Sequence, residues 1–221
     1  MDGVSGQRPI RPSPAENHWE QLYQRATAAL PWEPSRTPVE FAEWASLLAP
    51  GSSVLDLGCG RGDHAVAMAR HGFQVAGIDF SATAIAAARE KATASGVDDI
   101  RFEVANLLDY RSESTFDLVY DYSVFHHVDV SNRAAYARTV SLAVRPGGLF
   151  AIVCYADDDP AAEGGGQRVG TLGNVIHHPT RHELWSLFHA DFAVRSNKAT
   201  RLGRRENHLA HHVIFQRVSS A

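Results

Sequence analysis

The chain has 221 residues, a formal net charge of −4 and a 44% hydrophobic composition, which fits one globular domain with a substantial core. Acids and bases are interspersed, so no basic stripe points to nucleic acid and no polybasic segment to a membrane surface. Two cysteines, Cys59 and Cys154, give no disulfide framework, no apolar run reaches the roughly 20 residues of a membrane span, and Met1–Pro14 lacks the apolar core of a secretory leader, so a cytoplasmic protein is expected.

Residues 1–16 are rich in proline and glycine and read as a disordered tail. From Asn17 the pattern changes: Trp19, Leu22, Tyr23, Ala26 and Leu30 recur at helical spacing until Pro31-Trp32-Glu33-Pro34 breaks the run. A second helix spans Pro38–Leu48. Strands and helices then alternate, which predicts a parallel sheet covered on both faces. The expected strands are Ser53–Leu57, Gln74–Ile78, Ile100–Val104, Phe116–Tyr122 and Leu149–Tyr155. The helices between them are Asp63–His71, a segment capped by Ser81 and ending near Ala94, and Asn132–Val144. Arg145-Pro146-Gly147-Gly148 reads as a turn. Residues 156–178 carry Asp157-Asp158-Asp159-Pro160 and Gly164-Gly165-Gly166 and read as a substrate flap or a disordered loop. A helix from Pro179 and two strands, Phe192–Ala199 and His208–Val218, close the chain as an antiparallel hairpin joined through Gly203–Asn207.

The organising stretch is Val54-Leu55-Asp56-Leu57-Gly58-Cys59-Gly60-Arg61-Gly62-Asp63. It reads as a buried strand, a tight turn and a helix N-terminus, whose unpaired N–H groups face whatever sits in the turn. A dinucleotide fingerprint would place its third glycine at Asp63. A pyrophosphate would be repelled by Asp56 and Asp63, whereas a zwitterionic amino-acid end would not. The second strand ends at Asp79, where an acid suits ribose hydroxyls.

Asp56-x-Gly58-x-Gly60-x-Gly62 followed by Asp79 resembles the first two motifs of class I S-adenosylmethionine-dependent methyltransferases. Trp19, Tyr23 and Pro31-Trp32-Glu33 resemble the N-terminal helix of the thiopurine and tellurite-resistance group, in which that segment covers the cofactor. The resemblance spans about residues 17–218. It implies a Rossmann-like, doubly wound α/β fold with a seven-stranded, mostly parallel sheet, a C-terminal antiparallel hairpin and a helical lid over residues 17–50. It implies S-adenosylmethionine as cofactor and a small-molecule acceptor. Asp56 would act near the methionine amino group, directly or by ordering the turn. Gly58, Gly60 and Arg61 would approach the carboxylate through backbone. Asp79 would take the ribose hydroxyls, Phe80 would stack beside adenine, and Asn106 stands where the family often has an acid for the adenine amine. Leu107 would add an apolar wall and Tyr122 would lie beside the sulfonium. Trp19 and Tyr23 would close the lid.

On the acceptor side, His126 and His127 follow the fourth strand and are candidates for a base or an acceptor-orienting group, with packing under the next helix as the other reading. His177 and His178 border the flap and come second. Of the twelve histidines, His178 and His182 could share a helix face, but no H-E-x-x-H or cysteine pair accompanies them and no metal is expected. His211 and His212 sit in a strand and point to opposite sides. A nicotinamide oxidoreductase, a methyltransferase fold reused without methyl transfer, and a nucleic-acid or protein methyltransferase remain the alternatives. Alanine and arginine are abundant, as in GC-rich bacteria whose methyltransferases serve secondary metabolism or detoxification. A monomer or homodimer is expected.

Overall fold

The computed structural model describes residues 14–26, 28–30, 32–33, 37–162, 166–203 and 208–219. The expected tail at 1–13, Pro31 and Pro34 of the aromatic motif, Gly164 and Gly165 of the flap, and Arg204–Asn207 of the last turn lie outside the described residues. The first helix, α1 (Pro14–Arg25), begins inside the stretch expected as tail. A proline tolerates a helix's first turn, where its missing N–H has no partner to lose.

After α2 (Val39–Ser46) come β1 (Ser53–Leu57), α3 (Asp63–Arg70), β2 (Gln74–Asp79), α4 (Ala82–Ala94), β3 (Arg101–Val104), β4 (Phe116–Tyr122), α5 (Arg133–Ala143) and β5 (Val144–Tyr155). Then follow β6 (Gly166–Val169), β7 (Val175–His178), α6 (Arg181–Phe188), β8 (Phe192–Leu202) and β9 (His208–Arg217). The seven-stranded sheet has the order β3-β2-β1-β4-β5-β9-β8. β1 to β5 pair in parallel, and β9 runs antiparallel to both its neighbours. The chain winds outward from β1 through β3, then returns to place β4 on the other side of β1. That reversal opens a crevice at the carboxyl ends of β1 and β4, where open α/β sheets bind ligands.

Strand alternation sorts the core. Leu55 and Leu57 pack with Val119, Phe150 and Phe215 under α5 and α6, while Val54, Leu118, Ala151 and Val153 pack against α2, α3 and α4. Trp44 of α2 is 1% exposed, and its indole N–H donates to His212 Nε2 at 2.9 Å. Burying such a ring is worth about 3 kcal/mol, so α2 is fastened to the sheet and is no mobile cover. α4 starts at Ser81, whose hydroxyl accepts from Ala84 N at 3.0 Å, and stops at Gly96 with φ +68°.

Three expectations need correction. Arg145–Gly148 is the irregular beginning of β5 and no separate turn: Val144 pairs with Phe116, the register shifts, and pairing resumes at Leu149 with Leu118. Positive φ at Gly147 absorbs the extra length. β8 continues to Leu202, past the expected end at Ala199. The segment after β5 carries structure of its own, because β6 and β7 pair as a small antiparallel sheet from Gly166↔His178 to Val169↔Val175. Its approach is pinned by Asp159, which accepts from Ala161 N at 2.7 Å and from Leu209 N, so the acidic triplet is not simply solvated. Among the described residues no helix is long and apolar enough to cross a membrane, and no group of His, Cys, Asp and Glu is placed to hold a metal ion.

Candidate active site

The crevice is a cleft of about 220 Å³ built from four loops and one helix. The turn after β1 forms its floor. Gly58, Gly60 and Gly62 all have positive φ, and a Cβ on Gly58 would sit 2.6 Å from Val124 Cγ2 while one on Gly60 would sit 2.8 Å from the Tyr23 hydroxyl. Positive φ and these close approaches both favour glycine at the two places. Left-handed strain of roughly 1–2 kcal/mol and a clash of roughly 1–3 kcal/mol add for Gly58→Ala. We expect that variant to lose about 2–5 kcal/mol in urea unfolding; a loss under 1 kcal/mol would show that Val124 moves aside freely.

Asp79 ends β2 and organises the turn from the side. Its Oδ2 accepts from Gly60 N at 3.0 Å and its Oδ1 from Ser81 N at 2.9 Å. Each oxygen keeps a second lone pair for a ligand hydroxyl. Burial pushes its carboxyl up to about 6, against the two N–H groups that favour the charge.

Asp56 is placed differently from the direct role expected of it. It is 2% exposed, lies beneath the turn beside Tyr120 and does not line the cleft. Burial pushes its carboxyl up to about 8 despite the Tyr120 hydroxyl. Buried beside Tyr120 and outside the cleft, it does not fit the direct role near the methionine amino group.

The helix α1 and the segment after it form the roof. Trp19, Tyr23, Trp32 and Glu33 line the cleft. Trp32 Nε1 donates to the Tyr23 hydroxyl at 3.3 Å, and the Trp19 and Trp32 rings meet edge-on at 5.0 Å. Arg61 also lines the cleft, yet its guanidinium is spent on this roof. It donates to the carbonyls of Tyr23, Ala26 and Ala28 at 3.3, 3.1 and 3.4 Å and pairs with Glu33 at 3.5 Å. Phe80, Asn106 and Leu107 line the far wall, and Asn106 Oδ1 already accepts from Leu108 N at 2.9 Å, which orders that loop.

The loop after β4 makes the last wall with Tyr122, Ser123, Val124 and His127. Ser123 has φ +75°, the one positive value among the described non-glycine residues. Such backbone costs about 1–3 kcal/mol and persists where neighbours fix it, here Ser123 N on Val153 O at 2.9 Å. Buried Asp121 holds the following single-turn 3₁₀ helix, Phe125–His127, by accepting from Val124 N at 2.9 Å, Phe125 N at 3.3 Å and the Tyr136 hydroxyl at 2.7 Å.

The two adjacent histidines separate cleanly. His126 is 1% exposed, stacks on Tyr155 at 4.2 Å and stays outside the cleft, so it does not fit a role as base. Consecutive residues of a tight turn point apart, and this one points into the sheet. His127 lines the cleft, with its ring 4.7 Å from that of Trp19. Its Nδ1 lies 3.0 Å from Val175 O of β7. A carbonyl only accepts, so Nδ1 carries the proton and Nε2 keeps its lone pair.

His64, at the start of α3, was not anticipated. It lines the cleft, meets Tyr122 edge-on at 4.7 Å, and its Nε2 has no hydrogen-bond partner. Its position just after the glycine turn was the available signal. Val128, Asp129 and Asn132 were missed too, although they follow His127 in the same loop.

The buried groups set a pH profile. Burial pulls His64 and His127 down to about 4, so each adds stability as pH rises from 4 to 6.5. Asp79 and Asp121, both raised to about 6, act in the opposite sense over about 4–6, since the folded state there holds protons that the unfolded chain has released. Above 6.5 Asp56 dominates: its raised value means that stability is lost as pH climbs toward 8, by about 2 kcal/mol. The ligand-free thermal midpoint should therefore fall between pH 6.5 and 8.5. Asp56→Asn should remove that fall; an equal fall in the variant would show that another group titrates.

Residues 54–148 match a family described as a methyltransferase domain. A solved structure, from work on the conversion of a disulfide bond into a thioacetal group during echinomycin biosynthesis, is 26% identical with a TM-score of 0.75 and covers 93% of this chain and 94% of that one. The chain shares the fold of that structure, and over residues 54–148 it resembles the methyltransferase domain family. Among curated relatives of this methyltransferase-like chain is the 2-heptyl-1-hydroxyquinolin-4(1H)-one methyltransferase of Mycobacteroides abscessus, 26% identical over 60% of this chain and 59% of its own length. Thiocyanate methyltransferase 1 of Arabidopsis thaliana is 30% identical over 65% of this chain and 63% of its own. The chain thus spans about three fifths of the length of the curated relatives it matches.

Proposed function

We propose that this protein transfers a methyl group from S-adenosylmethionine to a small-molecule acceptor. One observation carries the reading: a turn with positive φ at Gly58, Gly60 and Gly62 is tied to a strand-end carboxylate at the switch point of the sheet, under an aromatic roof. Those residues suit an adenosyl ligand with a zwitterionic tail. Asp79 would hold the ribose hydroxyls, Phe80, Asn106 and Leu107 the adenine, and the backbone of Gly58, Gly60 and Arg61 the carboxylate. Tyr122 offers a ring face to a positive sulfur. The bound donor supplies a methyl carbon activated by a sulfonium, which needs little beyond alignment and dryness. Of residues 17–50, α1 and the segment after it would serve as lid and cofactor wall, with Trp19 and Tyr23 shutting water out and α2 as their fixed footing, and residues 156–178 would serve as the acceptor flap. His127 would orient the acceptor or take its proton. A cytoplasmic bacterial enzyme of secondary metabolism or detoxification, acting as a monomer or homodimer without nucleic acid, agrees with the composition.

Calorimetric titration with S-adenosylmethionine, S-adenosylhomocysteine and NADH tests the reading. Micromolar binding of the two sulfur compounds and none of NADH is expected. Binding of NADH alone would replace it with the oxidoreductase alternative.

A further inference from the structure

We propose that the acceptor is an uncharged nucleophile that enters the cleft still carrying its proton, and that Asp129 enforces this by repelling anions at the rim. The proposal rests on the methyl-transfer reading above and goes on to name the acceptor's charge.

Among the described lining residues Arg61 is the one arginine or lysine, and it is bound to three carbonyls and Glu33. Asp63 is paired with Lys91 at 2.6 Å, so that lysine is spent as well. His64 and His127 are neutral across the physiological range, because burial lowers both. An anion entering the cleft would leave water and meet no unpaired lysine or arginine in the described lining, so the donor's sulfonium would be its one positive partner; Arg133 and Arg168, whose charges reach Asp129 and His127, lie outside the lining, the first paired with Glu183 and the second donating to His178.

At the mouth the opposite charge is fixed. Asp129 is exposed, lines the cleft and accepts from Ser131 N at 2.8 Å. Bonds from the Ser131 hydroxyl and N–H hold its carboxyl below the usual carboxylate range, so it is ionised wherever the enzyme would work. The Arabidopsis relative is named for thiocyanate, an anion; this mouth disfavours that ion. A protonated amine fails for a different reason, since it has no lone pair with which to attack. What remains is a neutral group such as a hydroxyl, a thiol or a heteroaromatic N–H. The walls beside it are the rings of Trp19 and His127, 4.7 Å apart, with Val128.

Protons and electrons balance. The acceptor's lone pair forms the bond to the methyl carbon, and the electron pair of the broken carbon–sulfur bond stays on sulfur. The acceptor's proton passes to His127 Nε2 and then to water. A weakly basic imidazole suffices, because the acceptor becomes strongly acidic as its new bond forms.

The test uses protein saturated with S-adenosylhomocysteine and two probes of one shape, 2-naphthol and 2-naphthoate, by calorimetry, with thiocyanate as a small anion. We expect 2-naphthol to bind at least about tenfold more tightly than 2-naphthoate. Asp129→Asn keeps the cap on Ser131 and should narrow the ratio about threefold; Asp129→Lys should narrow it about tenfold, as a charge reversal near the surface would. S-adenosylhomocysteine affinity should stay within twofold in both variants. Equal or tighter binding of 2-naphthoate or thiocyanate, no binding of 2-naphthol, or an unchanged ratio in both variants would overturn the proposal and leave the cofactor reading standing. Failure of S-adenosylhomocysteine itself to bind, seen in the first titration, would take both down.

Discussion

Replacing Asp79 with alanine is expected to weaken S-adenosylmethionine binding by at least about 100-fold. Two ribose hydroxyls donating to a buried carboxylate are worth about 1.5–3 kcal/mol each, which together give about 3–6 kcal/mol. The carboxylate does more than receive a ligand. It also takes the N–H groups of Gly60 and Ser81, so its removal strands two buried donors at the floor of the cleft and the start of α4. The variant should therefore lose about 1–3 kcal/mol of stability as well, unlike a residue that only touches ligand. Asp79→Asn separates the contributions. It keeps one acceptor oxygen but turns an amide toward one of the two N–H donors, so it should fold nearly as poorly and bind nearly as weakly. Calorimetry and urea unfolding of the same samples check both effects. Full affinity in a folded Asp79→Ala protein would remove Asp79 from the ribose site.

That double duty was hidden in the sequence, and the reason is general to this site. The succession of strands and helices and much of the cleft wall were legible, because Val54–Leu57, the glycine turn and Asp79 follow each other at spacings set by a strand, a turn and a helix. Residues that reach the site along the backbone, such as Gly58, Phe80 and Leu107, could be placed through the family resemblance, which fixes their positions relative to the strands. Those whose roles depend on side-chain direction could not. Asp56 and Asp79 are both strand acids, yet only the one at the strand's last position opens on the cleft. His126 and His127 are neighbours in a turn, and nothing local says which faces inward. The guanidinium of Arg61 binds a segment more than thirty residues earlier, a contact only the fold creates. The pairing of β6 with β7 was invisible for another reason: a glycine-rich stretch with two isolated valines gives no period to read.

His127→Ala is expected to lower turnover about 100-fold for any acceptor that brings a proton, while S-adenosylhomocysteine affinity stays within about threefold. The geometry behind this is over-determined. Asp121 fixes the turn from below, Val175 O accepts a hydrogen bond from Nδ1–H on the flap side, and Trp19 limits the ring from above. The imidazole is left with one free lone pair and one direction in which to use it. Burial keeps it neutral down to about pH 4, so wild-type kcat should be flat from about pH 5 to 8 and fall only as His127 takes a proton near 4. In His127→Ala that acid limb should vanish and kcat should instead climb with pH, as hydroxide replaces the lost base. His127→Gln offers hydrogen bonds but cannot hold a proton at these pH values, so it should restore binding of the acceptor without restoring turnover. Rescue of kcat by glutamine, or an alanine variant with wild-type kcat and an unchanged acid limb, would mean that His127 only orients the acceptor and that water receives the proton.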